Sequence, residues 1–412
     1  MSKLIDFCLK ITDGEHGSVL DDNNGEYFLL SNKNIINGHV NIDNNDRKIN
    51  SADFIRINKR INLEKDDVLL STVGTIGKIA IVENNINYVV QRSVGVIKTN
   101  KKKLNPYYLK YQLLLPEFQK RMNYLSKGAV QKCLFIGDLE NLEVNVPNLN
   151  IQNSIVMVLN SIDNKIDNNN QIIKKSYEIC LNIYNYWFNL LKNSNGNYKI
   201  KYNEVLKRNI PENWEVLKVK DCIQHINTGL NPRDNFKLGS GNIKYVTVKN
   251  LTSDGNIDFS GCDFVDEKAR EIIHNRSDVS KDDILFASIA PLGRCVIVKE
   301  NPKNWDINES VFCIRPNFDK VSSEYLYMYF MSEYFIKKAE HSSTGSIFSG
   351  IRINTLEDMP ILVPDKKTME LFTNKVTDLF MMKYNKEKEN EKLISLRDFL
   401  LPLLMNGQIK LN

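Results

Sequence analysis

The chain has 412 residues, of which 42% are hydrophobic and 25% charged, and a formal net charge of +5; this is ordinary composition for two or three globular domains, basic enough to permit a nucleic-acid partner without requiring one. The seven cysteines are scattered without a Cys-x-x-Cys pair, which argues against a disulfide framework or a zinc site. No signal-peptide pattern opens the chain and no apolar run reaches the roughly eighteen residues that span a membrane, so we expect a cytoplasmic protein.

Residues 1–149 are predicted to form a first domain of mixed α/β structure. The apolar runs 68–70 and 79–82 are typical of strands, and Gly74 and Gly77 between them indicate a tight turn. Asn105 followed by Pro106 predicts the start of a helix. The run 144–147 predicts a closing strand that a proline ends.

Residues 150–192 are predicted to form one long central helix. Apolar residues recur there at steps of three and four, from Ile151 to Leu191. Some 42 residues at about 1.5 Å each would span on the order of 60 Å. A helix of that length cannot bury its apolar seam against one small domain, so we expect it to pair with a second helix.

The second half of the chain repeats this plan. A polar linker at 193–200 opens a second domain that extends to residue 365, and residues 366–412 form the second long helix and tail. We expect the two helices to pair antiparallel, with the charged segment 383–392 as an exposed centre. Eight seam residues are predicted to form partner-binding surfaces; they are Ile155, Ile162, Ile173, Trp187, Phe372, Leu379, Leu393 and Leu400.

An internal repeat supports two domains of one fold. The sequence KDDVLL at 65–70 recurs as KDDILF at 281–286, and Gly128 recurs as Gly345. A period this long indicates duplicated domains rather than a solenoid. The predicted fold class is therefore α+β: two homologous mixed α/β domains, separated by a pair of long antiparallel, coiled-coil-like helices, with pseudo-two-fold symmetry.

Three motifs imitate catalytic sites without completing them. The glycine turn 74–78 is too short for a nucleotide loop, and its second copy contains Pro291. NPYY at 105–108 lacks the second proline and the cofactor loop of an amino-group methyltransferase, and PDKK at 364–367 lacks the remaining acidic residue of a nuclease. The five histidines do not cluster at metal-ligand spacing. We therefore predict no catalytic residues and no metal site; an enzyme with an unrecognised site, or a helical assembly protein without nucleic acid, stays an alternative.

The remaining interpretation is recognition of DNA by loops. The glycine-containing segments 127–132 and 344–352 occupy the same place in the two copies. Gln and Arg can read base edges in the major groove, whereas Lys and Ser can hold phosphates. A solvated surface loop is the alternative for each. The predicted DNA-binding residues are Lys78, Arg92, Lys127, Gln131, Lys132, Arg233, Arg294, Ser346 and Arg352.

Taken together, these segments resemble the specificity subunit of a type I restriction–modification system. The resemblance lies in the repeat at 65–78 and 281–293, in the opening IPENW at 210–214, and most specifically in the C-terminal stretch 396–409. The chain departs from the family at the helix starts, where the usual acidic-Gln pair reads Ile151-Gln152 and Met369-Glu370.

The resemblance implies a subunit without catalytic residues or bound cofactors. Each target-recognition domain would read one half of a split site on double-stranded DNA, and the helices would set the gap between the halves. It also implies two methyltransferase subunits that use S-adenosylmethionine, and restriction subunits, the motor-nucleases, that use ATP and Mg²⁺.

Overall fold

The computed structural model describes residues 2–84, 86–128, 131–191, 199–290, 293–342 and 350–409. The chain divides into two compact units: unit 1 comprises Met1–Asn168 and Asn390–Asn412, and unit 2 comprises Asn169–Glu389. Because the division follows packing, it cuts both long helices. The domain boundaries that the sequence places at residues 149, 192 and 365 stay predictions.

Unit 1 is built from short strands and helices. Among the described residues its strands are β1 (Ser2–Lys3), β2 (Cys8–Asp13), β3 (Tyr27–Leu30), β4 (Ile35–Ile36), β5 (His39–Val40), β6 (Lys48–Ile49), β7 (Val68–Ser71), β8 (Ile79–Ile81), β9 (Tyr88–Val90), β10 (Val94–Thr99) and β11 (Glu143–Val144). Its helices are α1 (Ser51–Ile61), α2 (Pro106–Leu114), α3 (Pro116–Leu125), α4 (Ile136–Glu140) and the first part of α5 (Leu149–Tyr184).

Unit 2 repeats this order. After α5 ends, a π-helical turn covers Asn185–Asn189. The strands of the described part are β12 (Ile200–Asn203), β13 (Arg208–Pro211), β14 (Glu215–Lys218), β15 (Ile223–Thr228), β16 (Ile243–Val246), β17 (Asp263–Val265), β18 (Ile284–Ala287), β19 (Cys295–Ile297), β20 (Trp305–Ile307), β21 (Val311–Pro316) and β22 (Pro360–Val363). The helices are α6 (Glu267–Ser277), α7 (Ser323–Phe330), α8 (Glu333–Ser342), α9 (Ile353–Glu357) and α10 (Lys366–Met405).

The two units share one sheet topology. The strand order β2-β10-β7-β8 in unit 1 matches β15-β21-β18-β19 in unit 2, and β6-β3-β9 matches β17-β16-β20. In each three-stranded sheet one pair is parallel, β3 with β9 and β16 with β20. The predicted duplication of a mixed α/β domain, and with it the α+β class, is confirmed. The hairpin β12-β13 distinguishes unit 2, whereas the pairing of β4 with β5 corresponds to a single antiparallel bridge between Leu251 and Ile257.

The repeated Lys-Asp-Asp motif forms a buried ion pair in each unit. Asp67 lies 2.6 Å from the Nζ of Lys98 on β10, and Asp283 accepts hydrogen bonds from Nε and Nη2 of Arg315 on β21 at 2.9 Å each. The preceding Asp66 and Asp282 have φ angles of 72° and 69°, a left-handed conformation that Asp tolerates better than most residues. The motif is therefore explained by the fold and needs no catalytic role.

Each unit contains one segment of each long helix. In unit 1, Ile155 and Leu159 of α5 share a core with Leu401 and Leu404 near the end of α10. In unit 2, Tyr184 near the end of α5 packs on Phe372 near the start of α10. The beginning of each helix is thus grouped with the end of the other, as antiparallel pairing requires.

The prediction of an exposed charged centre in α10 is wrong for part of that segment. Lys383 is only 7% exposed, and its Nζ lies 2.5 Å from Glu387 and 3.3 Å from Oδ1 of Asn256. Asn390 is buried as well. A long polar side chain can be buried where its charged end meets partners, which the composition of the segment does not reveal.

Candidate nucleic-acid interface

In unit 1, three loops are joined by backbone hydrogen bonds into one surface, which we call loop edge 1 (residues 72–78, 91–93, 127–128 and 131–135). The amide of Thr72 donates to the carbonyl of Ser93 at 2.9 Å, and the amide of Leu134 donates to the carbonyl of Thr72 at 2.8 Å. The amide of Gly74 donates to Lys132 at 2.9 Å. Backbone bonding of this kind holds exposed side chains in a defined position.

The same backbone bonds recur in unit 2, in loop edge 2 (residues 288–289, 308–310 and 350–352). The amide of Ser288 donates to Ser310 at 3.0 Å, and the amide of Ile351 donates to Ser288 at 2.8 Å. Ile289 and Gly350 form an isolated antiparallel bridge. The duplication therefore preserves the scaffold of the loops as well as the sheets.

Gly74 forms the tip of the β7–β8 turn in loop edge 1. Its φ angle of +78° favours glycine, and a Cβ there would lie 3.3 Å from Nδ2 of Asn32 and 3.7 Å from Nε2 of Gln131. Asn32 itself donates to the carbonyl of Val73 at 2.6 Å. The turn thus places the exposed carboxamide of Gln131 beside the tip, where a base edge could meet it.

Loop edge 1 brings together all the DNA-binding residues predicted for the first domain. Lys78, Arg92, Lys127, Gln131 and Lys132 are exposed. Within the described part of the chain, none of the four cationic side chains pairs with a carboxylate. They are consequently free to contact phosphate, the dominant contact between proteins and DNA. Their use as DNA ligands stays a prediction.

The predicted residues of unit 2 have different environments. Arg352 is exposed in loop edge 2, and Arg233 is exposed in the β15–β16 loop. Arg294 is half-buried, and its Nη1 donates to the carbonyl of Leu251 at 3.2 Å. Ser346 lies outside the described residues. Arg294 is therefore partly used by the fold, unlike its counterpart Lys78.

Two of the three motifs that imitate catalytic sites are helix caps. Asn105 accepts a hydrogen bond from the amide of Tyr107 at 2.9 Å, and Asp365 accepts one from the amide of Thr368 at 3.1 Å. Asp365 also accepts from Nε1 of Trp214. Partial burial acts to raise the pKa of Asp365, but the hydrogen bonds from Thr368 and Trp214 outweigh it and hold the pKa below its ordinary value. Both residues are thereby assigned to structure.

A serine, a histidine and an aspartate do meet in unit 2, but not in the order of a hydrolase. Oγ of Ser277 donates to Asp306 at 2.6 Å, and Nδ1 of His274 lies 3.0 Å from the same carboxylate. A nucleophilic serine has to be bonded to the imidazole instead. Burial raises the pKa of Asp306, and no group of three His, Cys, Asp or Glu residues in the described ranges could hold a metal.

Most of the predicted partner-binding residues of the helices lie against the core of their own unit. Ile155, Ile162, Trp187 and Phe372 are buried, and Leu379 packs on the core of unit 2. The remaining three are half-buried; they are Ile173, Leu393 and Leu400. Their role in partner binding stays a prediction, although packing within the units already accounts for the apolar character of five of them; these are Ile155, Trp187, Phe372, Leu379 and Leu400.

Other apolar residues of the helices are exposed and were missed by the sequence analysis. Met157 is 70% exposed and Phe399 66% exposed, and Met382 is also exposed. They fall outside the apolar seam that repeats every three or four residues. An apolar residue off that seam was the sequence pattern that could have indicated an exposed contact surface. In loop edge 1 the missed residue is Phe135, which is 52% exposed.

Comparison with known proteins agrees with this architecture. The sequence model of the family described as "Type I restriction modification DNA specificity domain" matches residues 4–175 and 211–394. The MjaIX type I restriction enzyme specificity subunit of Methanocaldococcus jannaschii is 24% identical over 382 residues, covering 90% of this chain and 84% of that protein. The HindI specificity subunit of Haemophilus influenzae is 21% identical over 416 residues, with coverages of 84% and 87%.

A solved structure supports the fold over the whole length. The S subunit of a type I restriction–modification system from M. genitalium superimposes with a TM-score of 0.58 at 17% identity, covering 98% of this chain and 95% of that one. Across the described ranges, no helix is both long enough and apolar enough to cross a bilayer. Two matching regions that together include most of the sequence show that the chain belongs to the family of type I restriction–modification DNA specificity proteins.

Proposed function

We propose that this chain is the DNA-recognition subunit of a type I restriction–modification complex. In this function each unit reads one half of a bipartite target on duplex DNA. The observation that carries the proposal is the duplicated loop edge, in which the same backbone bonds support different exposed side chains. A common scaffold with variable side chains is the arrangement expected of two readers with different half-sites.

The charges of loop edge 1 suit the sequence-independent part of binding. Its exposed Lys and Arg side chains can neutralise phosphates and release counterions, so affinity should fall steeply with salt. Specificity would then depend on the groups that reach base edges, of which Gln131 in unit 1 and Arg352 in unit 2 are candidates. Burial raises the pKa of Cys8 and Cys222 to about 12, which makes these two thiols poor nucleophiles.

The assembly partners belong to the same proposal. Two methyltransferase subunits would use S-adenosylmethionine, restriction subunits would use ATP and Mg²⁺, and this chain would supply no cofactor site and no catalytic group. The exposed apolar residues Met157, Met382 and Phe399 on the long helices are available to such partners. A cytoplasmic complex, as expected from the sequence, is consistent with a DNA substrate.

A domain exchange tests the modular reading of DNA. Residues 1–149 are replaced by the corresponding domain of a relative with a known half-site, and the complex is expressed with its methyltransferase subunits. Methylation mapped across a genome should change in one half of the target only. A change in both halves, or in neither, would contradict the proposal.

The enzyme alternative is tested by the purified chain alone. Incubation with DNA, S-adenosylmethionine and Mg²⁺ should give neither methylation nor cleavage, whereas addition of the methyltransferase subunits should give methylation. Activity of the isolated chain would assign it a catalytic site of its own.

A further inference from the structure

We infer that one matched position, Phe135 in unit 1 and Arg352 in unit 2, determines which base class each unit accepts: Phe135 reads thymine through its C5-methyl group, and Arg352 reads guanine. This inference rests on the proposed function. It deepens that function by naming a base at one position of each half-site.

The backbone presents the two residues in the same way. Phe135 follows Leu134, which is 2% exposed, and Arg352 follows Ile351, which is 4% exposed. Each buried residue is fixed by its amide hydrogen bond to the matched β-turn residue, described above for both loop edges. The φ and ψ angles are −75° and 150° for Phe135 and −85° and 153° for Arg352. Each side chain therefore leaves an anchored point in the same conformation.

Both residues precede a short helix without capping it. Ser, Thr, Asp or Asn is preferred there, because the side chain can accept a hydrogen bond from the helix. Asn50, Asn105, Asp266 and Ser322 do cap their helices in this chain, whereas Phe135 and Arg352 make no such bond. A residue that does not cap its helix thus stands at both matched positions. This indicates that the two side chains contact a binding partner instead of the helix.

The chemistry of each side chain selects a base. Phe135 is an exposed apolar ring, and the Nζ of Lys127 lies 5.9 Å from its centroid. Beside a group that can hold phosphate, an apolar ring suits the thymine methyl, the apolar feature of the major groove. Arg352 is exposed, and across the described residues no carboxylate pairs with it; its guanidinium matches O6 and N7 of guanine.

The first experiment removes the thymine methyl. The target is mapped with the complete complex, and the half-site of unit 1 is identified by the domain exchange. Binding by the complex is then measured on duplexes in which deoxyuridine replaces the thymidines of that half-site, one at a time. One replacement should weaken wild-type binding roughly fourfold, the value of one buried methyl, and should have no effect on the Phe135→Ala complex.

The second experiment removes one acceptor of guanine. In the half-site of unit 2, 7-deazaguanine at one position should weaken wild-type binding about fivefold or more and leave the Arg352→Ala complex unaffected. Phe318→Ala is the control, because Phe318 is 58% exposed in the turn after β21 and lies outside both loop edges. Its complex should respond to both base analogues as the wild type does.

Several outcomes would overturn the inference. These are a unit 1 half-site without thymine, a Phe135→Ala complex that still responds to deoxyuridine, or an Arg352→Ala complex that still responds to 7-deazaguanine. Failure of the proposed function looks different: no duplex would be bound or methylated specifically, and the mapping step would yield no bipartite target.

Discussion

Unit 1 and unit 2 share a fold but hold the long helices by different chemistry. In unit 1, Asp163 of α5 accepts hydrogen bonds from Lys110 at 2.9 Å, Tyr111 at 2.7 Å and Arg397 of α10 at 3.2 Å. In unit 2, Phe372 of α10 packs against the ring of Phe188 at 5.0 Å and other aromatic rings of unit 2. Topology is therefore preserved while the helix contacts differ: unit 1 combines an aliphatic core with an ionic network, and unit 2 uses an aromatic cluster.

The difference teaches which features the fold requires. The loop edges keep their backbone bonds, and the Lys-Asp-Asp motif keeps its ion pair in both units. The helix contacts vary, because either a satisfied polar network or a close-packed aromatic cluster can hold two helices together. The polar network of unit 1 and the aromatic cluster of unit 2 should therefore respond differently to side-chain truncation, pH and salt.

The largest expected effect is loss of the aromatic cluster in unit 2. Phe372 is fully buried, so Phe372→Ala should lower the free energy of unfolding of unit 2 by about 3–5 kcal/mol. All three tryptophans of the chain, Trp187, Trp214 and Trp305, lie in unit 2, so tryptophan fluorescence during urea unfolding reports on this unit. Phe318→Ala is the control, because Phe318 lies in the same unit and is exposed; its free energy of unfolding is expected within about 0.5 kcal/mol of wild type. Equal losses in both variants would contradict the described packing.

The ion pairs of the repeated motif come next. Asp283→Ala leaves Arg315 without its buried carboxylate, and Asp67→Ala does the same to Lys98. Each should cost about 1.5–3 kcal/mol, the range for hydrogen bonds to a charged group, because the cation loses its buried partner and keeps a more exposed one, Asp278 for Arg315 and Glu64 for Lys98. Hydrogen exchange of β18 and β7 measures the two losses separately. Substitution of Asp282, whose side chain makes no ion pair in the described chain, should cost less; the reverse order would contradict the assignment.

The features that repeat along the sequence could be predicted from it. The features that depend on contacts between residues far apart in the chain could not. The duplication, the glycine turn and the helical seam were readable because each is a local pattern. The burial of Lys383 was not readable, since it depends on Asn256. Similarly, nothing local distinguishes Arg294, which donates to a carbonyl of its own fold, from the exposed Lys78. Phe135 was missed because an apolar residue after a loop ordinarily indicates core.

The ionic contact of unit 1 should make the end of α10 sensitive to pH. Burial by itself raises the pKa of Asp163, but Lys110, Tyr111 and Arg397 outweigh it and hold the pKa below its ordinary value. The carboxylate therefore contributes stability above the unfolded-state pKa near 3.9, and that stability is lost as the pH falls through the lower folded-state pKa.

Asp163→Asn measures this contribution. At neutral pH the variant should lose about 1.5–3 kcal/mol, the range for hydrogen bonds to a charged group, seen as faster hydrogen exchange in residues 390–409. The difference from wild type should shrink as the pH falls below about 4. The start of α10 around Phe372 serves as the internal control, because hydrogen exchange there should be the same in wild type and variant at each pH. A pH-independent difference would show that shape, not charge, is what Asp163 supplies.

The smallest expected effect separates Lys78 from Arg294. Lys78→Ala should weaken DNA binding evenly across sequences and reduce the slope of log affinity against log salt by about 1, as loss of one phosphate contact requires. Arg294→Ala should change that slope less, because its guanidinium already donates to the carbonyl of Leu251, and should instead loosen the β18–β19 turn.

Salt titrations of the complete complex on specific and unrelated duplexes give both slopes, and Lys207→Ala, outside both loop edges, gives the baseline. Equal slopes for the Lys78 and Arg294 variants would mean that the two turns meet DNA alike, and that the half-buried state of Arg294 has no consequence for binding.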